Sequence, residues 1–121
     1  QTLQELRKRK VQVWIMKQIP EQRVALYDLV IKAKILGLDD IKLEHHNVTT
    51  LEHQSQHQWV NSLIDNQPEV IVLEPLPYFL NDNGFCIDLN NCHLYQDPNH
   101  LNSRGAMLLK ELIRPFFLES N

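Results

Sequence analysis

Val11–Gln12–Val13–Trp14–Ile15–Met16 is rich in β-branched and aromatic residues and lacks clean polar–apolar alternation. That pattern reads as a strand buried on both faces, as in a parallel sheet. Upstream, Leu3 to Lys10 has helical composition with its basic residues late, where the helix dipole favours them. The chain thus begins on a charged helix that leads straight into a strand, and it reads as part of a longer architecture. Downstream, Pro20 closes the strand. Glu21 to Leu36 then reads as an apolar-rich helix with Val24, Tyr27, Ile31 and Ile35 as its inner face. Gly37 follows, where a left-handed stop is favoured.

Asp39 to Thr50 is a polar connection that leaves room for a short strand around Ile41–Leu43. Thr49–Thr50–Leu51–Glu52 resembles a capping box and opens a helix running to about Asn66. Gln56, Trp59, Val60, Leu63 and Ile64 mark the expected inner face of that helix. Pro68 resets the chain, and Val70–Ile71–Val72–Leu73 is the second buried strand, ended by Pro75 and Pro77. The stretch from Tyr78 to Asn99 is long and rich in Asn and Asp, and loops of that length are usually functional or tied down. Asn102 caps a last helix whose stripe is Ala106, Leu109, Leu112, Ile113 and Phe116, with Pro115 disrupting its end. Strands separated by helices predict parallel pairing and a layered α/β sheet. Two strong strands are few for a doubly wound sheet, which again points to missing N-terminal strands.

The 121 residues suffice for one domain, and 43% hydrophobic with 22% charged residues fits a folded one. A formal charge of −3 supplies no basic excess to hold a phosphate backbone, so nucleic acid is not an expected partner. No apolar stretch approaches the ~20 residues that cross a bilayer. Cys86 and Cys92 are two unrelated loop thiols or a small disulfide loop in an oxidising compartment. Their spacing leaves both open and is too loose for a CxxC motif.

His53 and His57 share a helix face in metal-ligand geometry, but no HExxH pattern accompanies them. Their neighbours Gln54, Gln56 and Gln58 point to a solvated face, and no metal site is assigned. His45 and His46 have no obvious partner. Asp97–Pro98–Asn99–His100 differs: an Asp and a His three apart, just ahead of a helix, can fold so that the carboxylate orients the ring. The other ring nitrogen would then be free to act as a general base. The pair ends the loop after the last strand, on the side where α/β sheets place their sites. A nucleophile is harder to find. Ser55 and Ser62 lie inside a helix, Ser103 at a helix start and Ser120 near the end, and no GxSxG is present. With three glycines there is no phosphate-cradling loop. The chain carries half of a triad.

Leu94–Tyr95–Gln96–Asp97–Pro98–Asn99–His100–Leu101–Asn102–Ser103–Arg104–Gly105–Ala106 resembles the closing motif of SGNH domains, roughly Y-x-D-x-x-H-L-S-x-x-G-A. The match is to the SGNH domain at the C-terminus of membrane acyltransferases of the acyltransferase-3 type, which O-acetylate lipopolysaccharide, peptidoglycan and other surface sugars. Val13–Glu21, Pro68–Leu73, Pro75–Leu76 and Gly84–Cys86 are similar to the same group. The resemblance is strongest from Pro68 to Ala106.

The resemblance implies a partial SGNH-hydrolase fold, a flavodoxin-like three-layer α/β arrangement with a parallel sheet flanked by helices and its N-terminal strands missing. Residues 1–121 would be the C-terminal portion of one such domain, with Val11–Met16 its fourth strand and Val70–Leu73 its fifth. It implies His100 as catalytic base and Asp97 as the acid that orients it, with no metal and no bound cofactor. Asn102 stands where the family usually has Ser, and both are good N-caps. The family's Gly-Asp-Ser nucleophile motif and its oxyanion-hole residues would lie before Gln1, so these residues alone are expected to be inactive. The implied partners are a surface carbohydrate acceptor, an acyl donor and an upstream transmembrane acyltransferase domain in the same chain. The implied location is the periplasmic or extracytoplasmic face, as part of an inner-membrane protein, which would favour a Cys86–Cys92 bridge. The family often has two cysteines before the motif, the first near Phe79–Leu80, whereas here they are Cys86 and Cys92. A plain SGNH esterase or deacetylase, and a noncatalytic module that has lost its nucleophile, are the alternative readings.

Overall fold

Val13 pairs with Val70 and Met16 with Leu73, so β1 (Val13–Met16) and β2 (Val70–Leu73) run parallel and in step. A computed structural model of the chain describes residues 2–38, 46–82, 84–89 and 92–118. The parallel pair needs a long crossover, and two helices supply it: α2 (Leu26–Leu36) and α3 (Thr50–Asp65). Ahead of β1 runs α1 (Thr2–Lys8), whose Arg7 donates to the Pro68 carbonyl at 2.5 Å and so ties the entry of β1 to the entry of β2. At the other end Lys17 closes the pair. Its ammonium reaches Asp65 at 2.7 Å and Glu74 at 2.6 Å, joining β1, the end of α3 and the end of β2. Burial works against that charge, but the hydrogen bonds to Asp65 and Glu74 outweigh it and hold the lysine pKa above its ordinary value.

The fold class is α/β, a parallel two-stranded sheet flanked by helices, consistent with part of an SGNH domain. Among the described residues β1 and β2 pair only with each other. The two strands are half-buried rather than covered on both faces, because so narrow a sheet has few neighbours to cover it. Trp14 finds one cover in Phe116, edge to face at 5.9 Å.

The core lies elsewhere. Phe79 and Ile87 are fully buried, and Phe85, Cys86, Leu94 and Tyr95 nearly so. All six come from the long segment expected to be a polar loop. It is folded into two short antiparallel hairpins, β3 (Leu80–Asn81) with β4 (Gly84–Phe85) and β5 (Asp88–Leu89) with β6 (Cys92–His93). Leu26 and Leu109 complete the cluster. Gly84 makes one close approach possible. It sits at φ 110°, and a Cβ there would lie 2.6 Å from the Val48 carbonyl oxygen, which accepts the Phe85 amide at 2.8 Å. Asn47, buried beside it, accepts from the Ile87 amide at 3.2 Å.

Several helix expectations change. α2 starts at Leu26, not Glu21. Residues 20–23 are drawn into contacts with the Asp97–His100 loop and with α3: Tyr95 donates to the Pro20 carbonyl, the Gln22 amide donates to the Pro98 carbonyl, and Arg23 pairs with Glu52. The inner face of α2 is Leu26, Val30 and Ala33, while Tyr27 and Ile35 are exposed. Apolar residues lie all round this helix, so its periodicity does not single out a face. Gly37 ends it at φ 65° as expected. α3 carries the full capping box between Thr49 and Glu52, but it too is turned: Trp59 is 73% exposed and His53 is 1% exposed. The histidine face is the inner one, and His53 packs on Phe85 at 5.3 Å and on His57 at 4.4 Å.

The last helical segment breaks at Leu109 into α4 (Ser103–Leu108) and α5 (Lys110–Leu118), and it continues past Pro115. Cys86 is buried, while the side chain of Cys92 lies outside what is described, and the expected bridge with it. The expected strand at 41–43 also lies outside the described residues. No described helix is long and apolar enough to cross a membrane.

Candidate active site

The Asp97–His100 loop is a closed turn. Tyr95 and Leu101 form an antiparallel bridge at its neck, and the Gln96 amide donates to the His100 carbonyl at 2.8 Å. Inside the turn, Asp97 Oδ1 accepts the amides of Asn99 at 3.1 Å and His100 at 2.9 Å. An Asp followed by Pro favours this arrangement, because a short carboxylate bonds the amides two and three residues on while the proline stiffens the step. Asn102 fixes the exit. Its Oδ1 accepts the Arg104 amide at 2.9 Å and the Gly105 amide at 3.0 Å, capping α4. Its Nδ2 donates to the His93 carbonyl at 2.8 Å, and its amide donates to Leu94. Asn therefore does more than cap. The side-chain amide that a serine lacks also ties α4 to β6.

This turn brings the two predicted residues together. His100 Nδ1 lies 2.9 Å from Oδ1 and 2.8 Å from Oδ2 of Asp97. A carboxylate on Nδ1 assigns the proton of the neutral ring to that nitrogen and leaves the Nε2 lone pair free. The His100 side chain is 70% exposed, so the ring is open to an incoming group. Desolvation pulls the Asp97 carboxyl upward. The hydrogen bonds from the Asn99 amide, the His100 ring and the His100 amide outweigh it and hold the group below its ordinary value. Asp97 is thus ionised and ready to stabilise an imidazolium.

Beside the turn opens a cleft of about 530 Å³, lined by Leu26, Tyr27, Val30, His93, Tyr95, Gln96 and Asn102. It lies next to the pair through Gln96. No serine of the described chain completes the pair. Ser55 and Ser62 donate to the Glu52 and Trp59 carbonyls within α3, Ser103 opens α4, and among the described residues the partner of the His100 ring is the Asp97 carboxylate, not a hydroxyl. Ser120 lies outside the described residues.

The other histidines take a different part. His53 is buried and the half-buried His57 packs against it with the rings tilted at 44°, and among the described residues no three His, Cys, Asp or Glu side chains gather as a metal site. His46 is half-buried beside Asn47, and His45 lies outside the described residues. Two residues escaped the sequence reading. Tyr95 and Gln22 clamp the turn from outside. Tyr95 stood within the motif without a role, and nothing in the sequence distinguishes Gln22.

No curated protein and no solved structure matches the chain. A family model does, described as "SGNH domain (fused to AT3 domains)", over residues 1–115. The match spans α1, both parallel strands, the hairpins and the Asp97–His100 turn, and on it the chain belongs to the SGNH domains that are fused to AT3 domains.

Proposed function

We propose that this chain is the C-terminal portion of an SGNH domain that transfers an acyl group, most simply acetyl, to a hydroxyl of a cell-surface carbohydrate. In this reading a serine from outside these residues attacks the donor's acyl carbonyl, and His100 Nε2 takes the serine proton. The protonated ring returns that proton to the leaving group as the acyl-serine forms. His100 then deprotonates the sugar hydroxyl, which attacks the acyl-serine, and the ring reprotonates the serine oxygen. Asp97 holds the ring and balances its positive charge in both halves. The observation that carries the reading is the Asp97 carboxylate on Nδ1 of an exposed histidine.

The partners are then the acceptor sugar, an acyl donor and the membrane acyltransferase domain of the same protein, with the site on the extracytoplasmic side. The same pair would serve an esterase, with water in place of the sugar, and the fusion of this family to AT3 domains favours transfer. The test is acetylation of surface polysaccharide by the intact protein. His100→Ala and Asp97→Asn should each lower the rate by at least about a hundredfold, the scale of a lost general base or its orienter. Wild-type acetylation by His100→Ala would sink the proposal.

A further inference from the structure

The Asp97–His100 pair is exposed, yet a base must be held within a fraction of an ångström of its target to be effective. A turn of this size on the surface would ordinarily be among the least stable parts of a domain. Something outside the turn must hold it, and two contacts do. The Tyr95 hydroxyl donates to the Pro20 carbonyl at 2.8 Å, across 75 positions of sequence. The Gln22 amide donates to the Pro98 carbonyl at 2.7 Å, between the two members of the pair. Both partners belong to the segment that leaves β1, so the turn is buttoned to the carboxyl end of the sheet at two points. Tyr95 is 5% exposed and its ring packs against Phe79 at 6.2 Å, so its hydroxyl is aimed by the core. Its neighbour Gln96 and the Tyr95–Leu101 bridge pass that fixed position directly to Asp97 and His100.

We infer that Tyr95 is a positioning residue for the Asp97–His100 pair, its hydroxyl locking the turn onto the segment after β1. The inference rests on the reading of His100 as the base given above. Burial pushes the Tyr95 hydroxyl well above its ordinary value, although the Gln22 side chain beside it pulls the other way. The hydroxyl therefore stays protonated across the working pH range, and the lock is a permanent donor rather than a switch. Tyr95→Phe removes that donor and keeps the ring in the core.

The test compares Tyr95→Phe with wild type in the intact protein by two measurements. In amide hydrogen exchange, the segment 95–102 and the amide of Gln22 should exchange about tenfold faster, with α4, α5 and β2 unchanged. In hydrolysis of p-nitrophenyl acetate, kcat should fall about tenfold with KM within about twofold of wild type, as for a displaced base with its binding site intact. Unchanged exchange at 95–102, or exchange that rises equally in all segments, overturns the inference, the second because it marks general destabilisation. Local loosening with an unchanged kcat also overturns it. A His100→Ala control separates the two readings: wild-type hydrolysis in that variant defeats the proposed base, while the exchange pattern still decides whether Tyr95 holds the turn.

Discussion

The Leu94 carbonyl oxygen packs against the Cα of Gly105 so tightly that any Cβ at that position would collide with it. The same oxygen accepts the Asn102 amide at 3.0 Å, so α4 is seated on the segment between β6 and the Asp97–His100 turn. Gly105→Ala should therefore destabilise the fold by about 2 kcal/mol or more, at the upper part of the overpacking range, since backbone and not a flexible side chain is in the way. A denaturant melt of the variant against wild type measures it. An unchanged midpoint would show that α4 shifts freely.

Glu52 sits in the capping box and also faces Arg23. The hydrogen bond from the Arg23 guanidinium, then those from the Thr49 amide and hydroxyl, lower its carboxyl from about 4.5 to about 2. A carboxyl whose folded value is depressed favours the folded state above its unfolded value, and that contribution is lost as pH falls through the folded value. Wild type should thus be more stable than Glu52→Gln at neutral pH, with the gap closing between about pH 4.5 and about 2. Thermal melts across that window decide it, and a gap that stays constant refutes it.

His53 runs the other way. Burial, and then the neighbouring His57, push it down from 6.5 to about 4. Between those values the unfolded chain binds a proton that the folded chain refuses, so stability is complete above about pH 6.5 and falls toward about pH 4. Replacing His53 by Leu should flatten the stability–pH curve in that interval. Equal slopes for wild type and His53→Leu would show that this ring does not set the acid sensitivity.

β1 offers Val13, Trp14, Ile15 and Met16 on a strand whose only partner among the described residues is β2, with no charge before Lys17. Such an edge lacks the usual guards against pairing with a second chain. The 121 residues alone should show concentration-dependent association in sedimentation, relieved when the preceding part of the proposed domain is supplied. A monodisperse monomer with one cooperative melt would show that the edge needs no cover.

The 121 residues by themselves should hydrolyse p-nitrophenyl acetate no faster than their own His100→Ala variant. His100 and Asp97 are assembled, but most of the rate acceleration in acyl transfer comes from an activated serine and an oxyanion hole. Hydrolysis that depends on Ser55, Ser62, Ser103 or Ser120 would overturn the view that the nucleophile comes from elsewhere.

Elements governed by local chemistry were legible in the residues. Val70–Leu73, the Thr49–Glu52 box, the Gly37 stop and the Asn102 cap each depend on residues a few positions apart, and the structure has all of them. The Asp97–His100 contact is equally local in its pairing: a carboxylate three residues ahead of a histidine, stiffened by Pro98, meets the ring within its own turn. The faces that α2 and α3 bury were decided by tertiary packing. Tyr27 and Trp59 are as apolar as the residues that went inside, and hydrophobicity along a helix cannot say which side will find a neighbour. His53 went inside because Phe85 arrived from another part of the chain to receive it. The core drawn from the segment 79–95 depended on the same kind of event, since Phe79, Ile87 and Tyr95 are buried by hairpins too short to leave a periodic signal. The hold on the Asp97–His100 turn lies furthest from the sequence: Pro20 and Tyr95 are 75 positions apart, and only the folded chain brings that carbonyl to that hydroxyl.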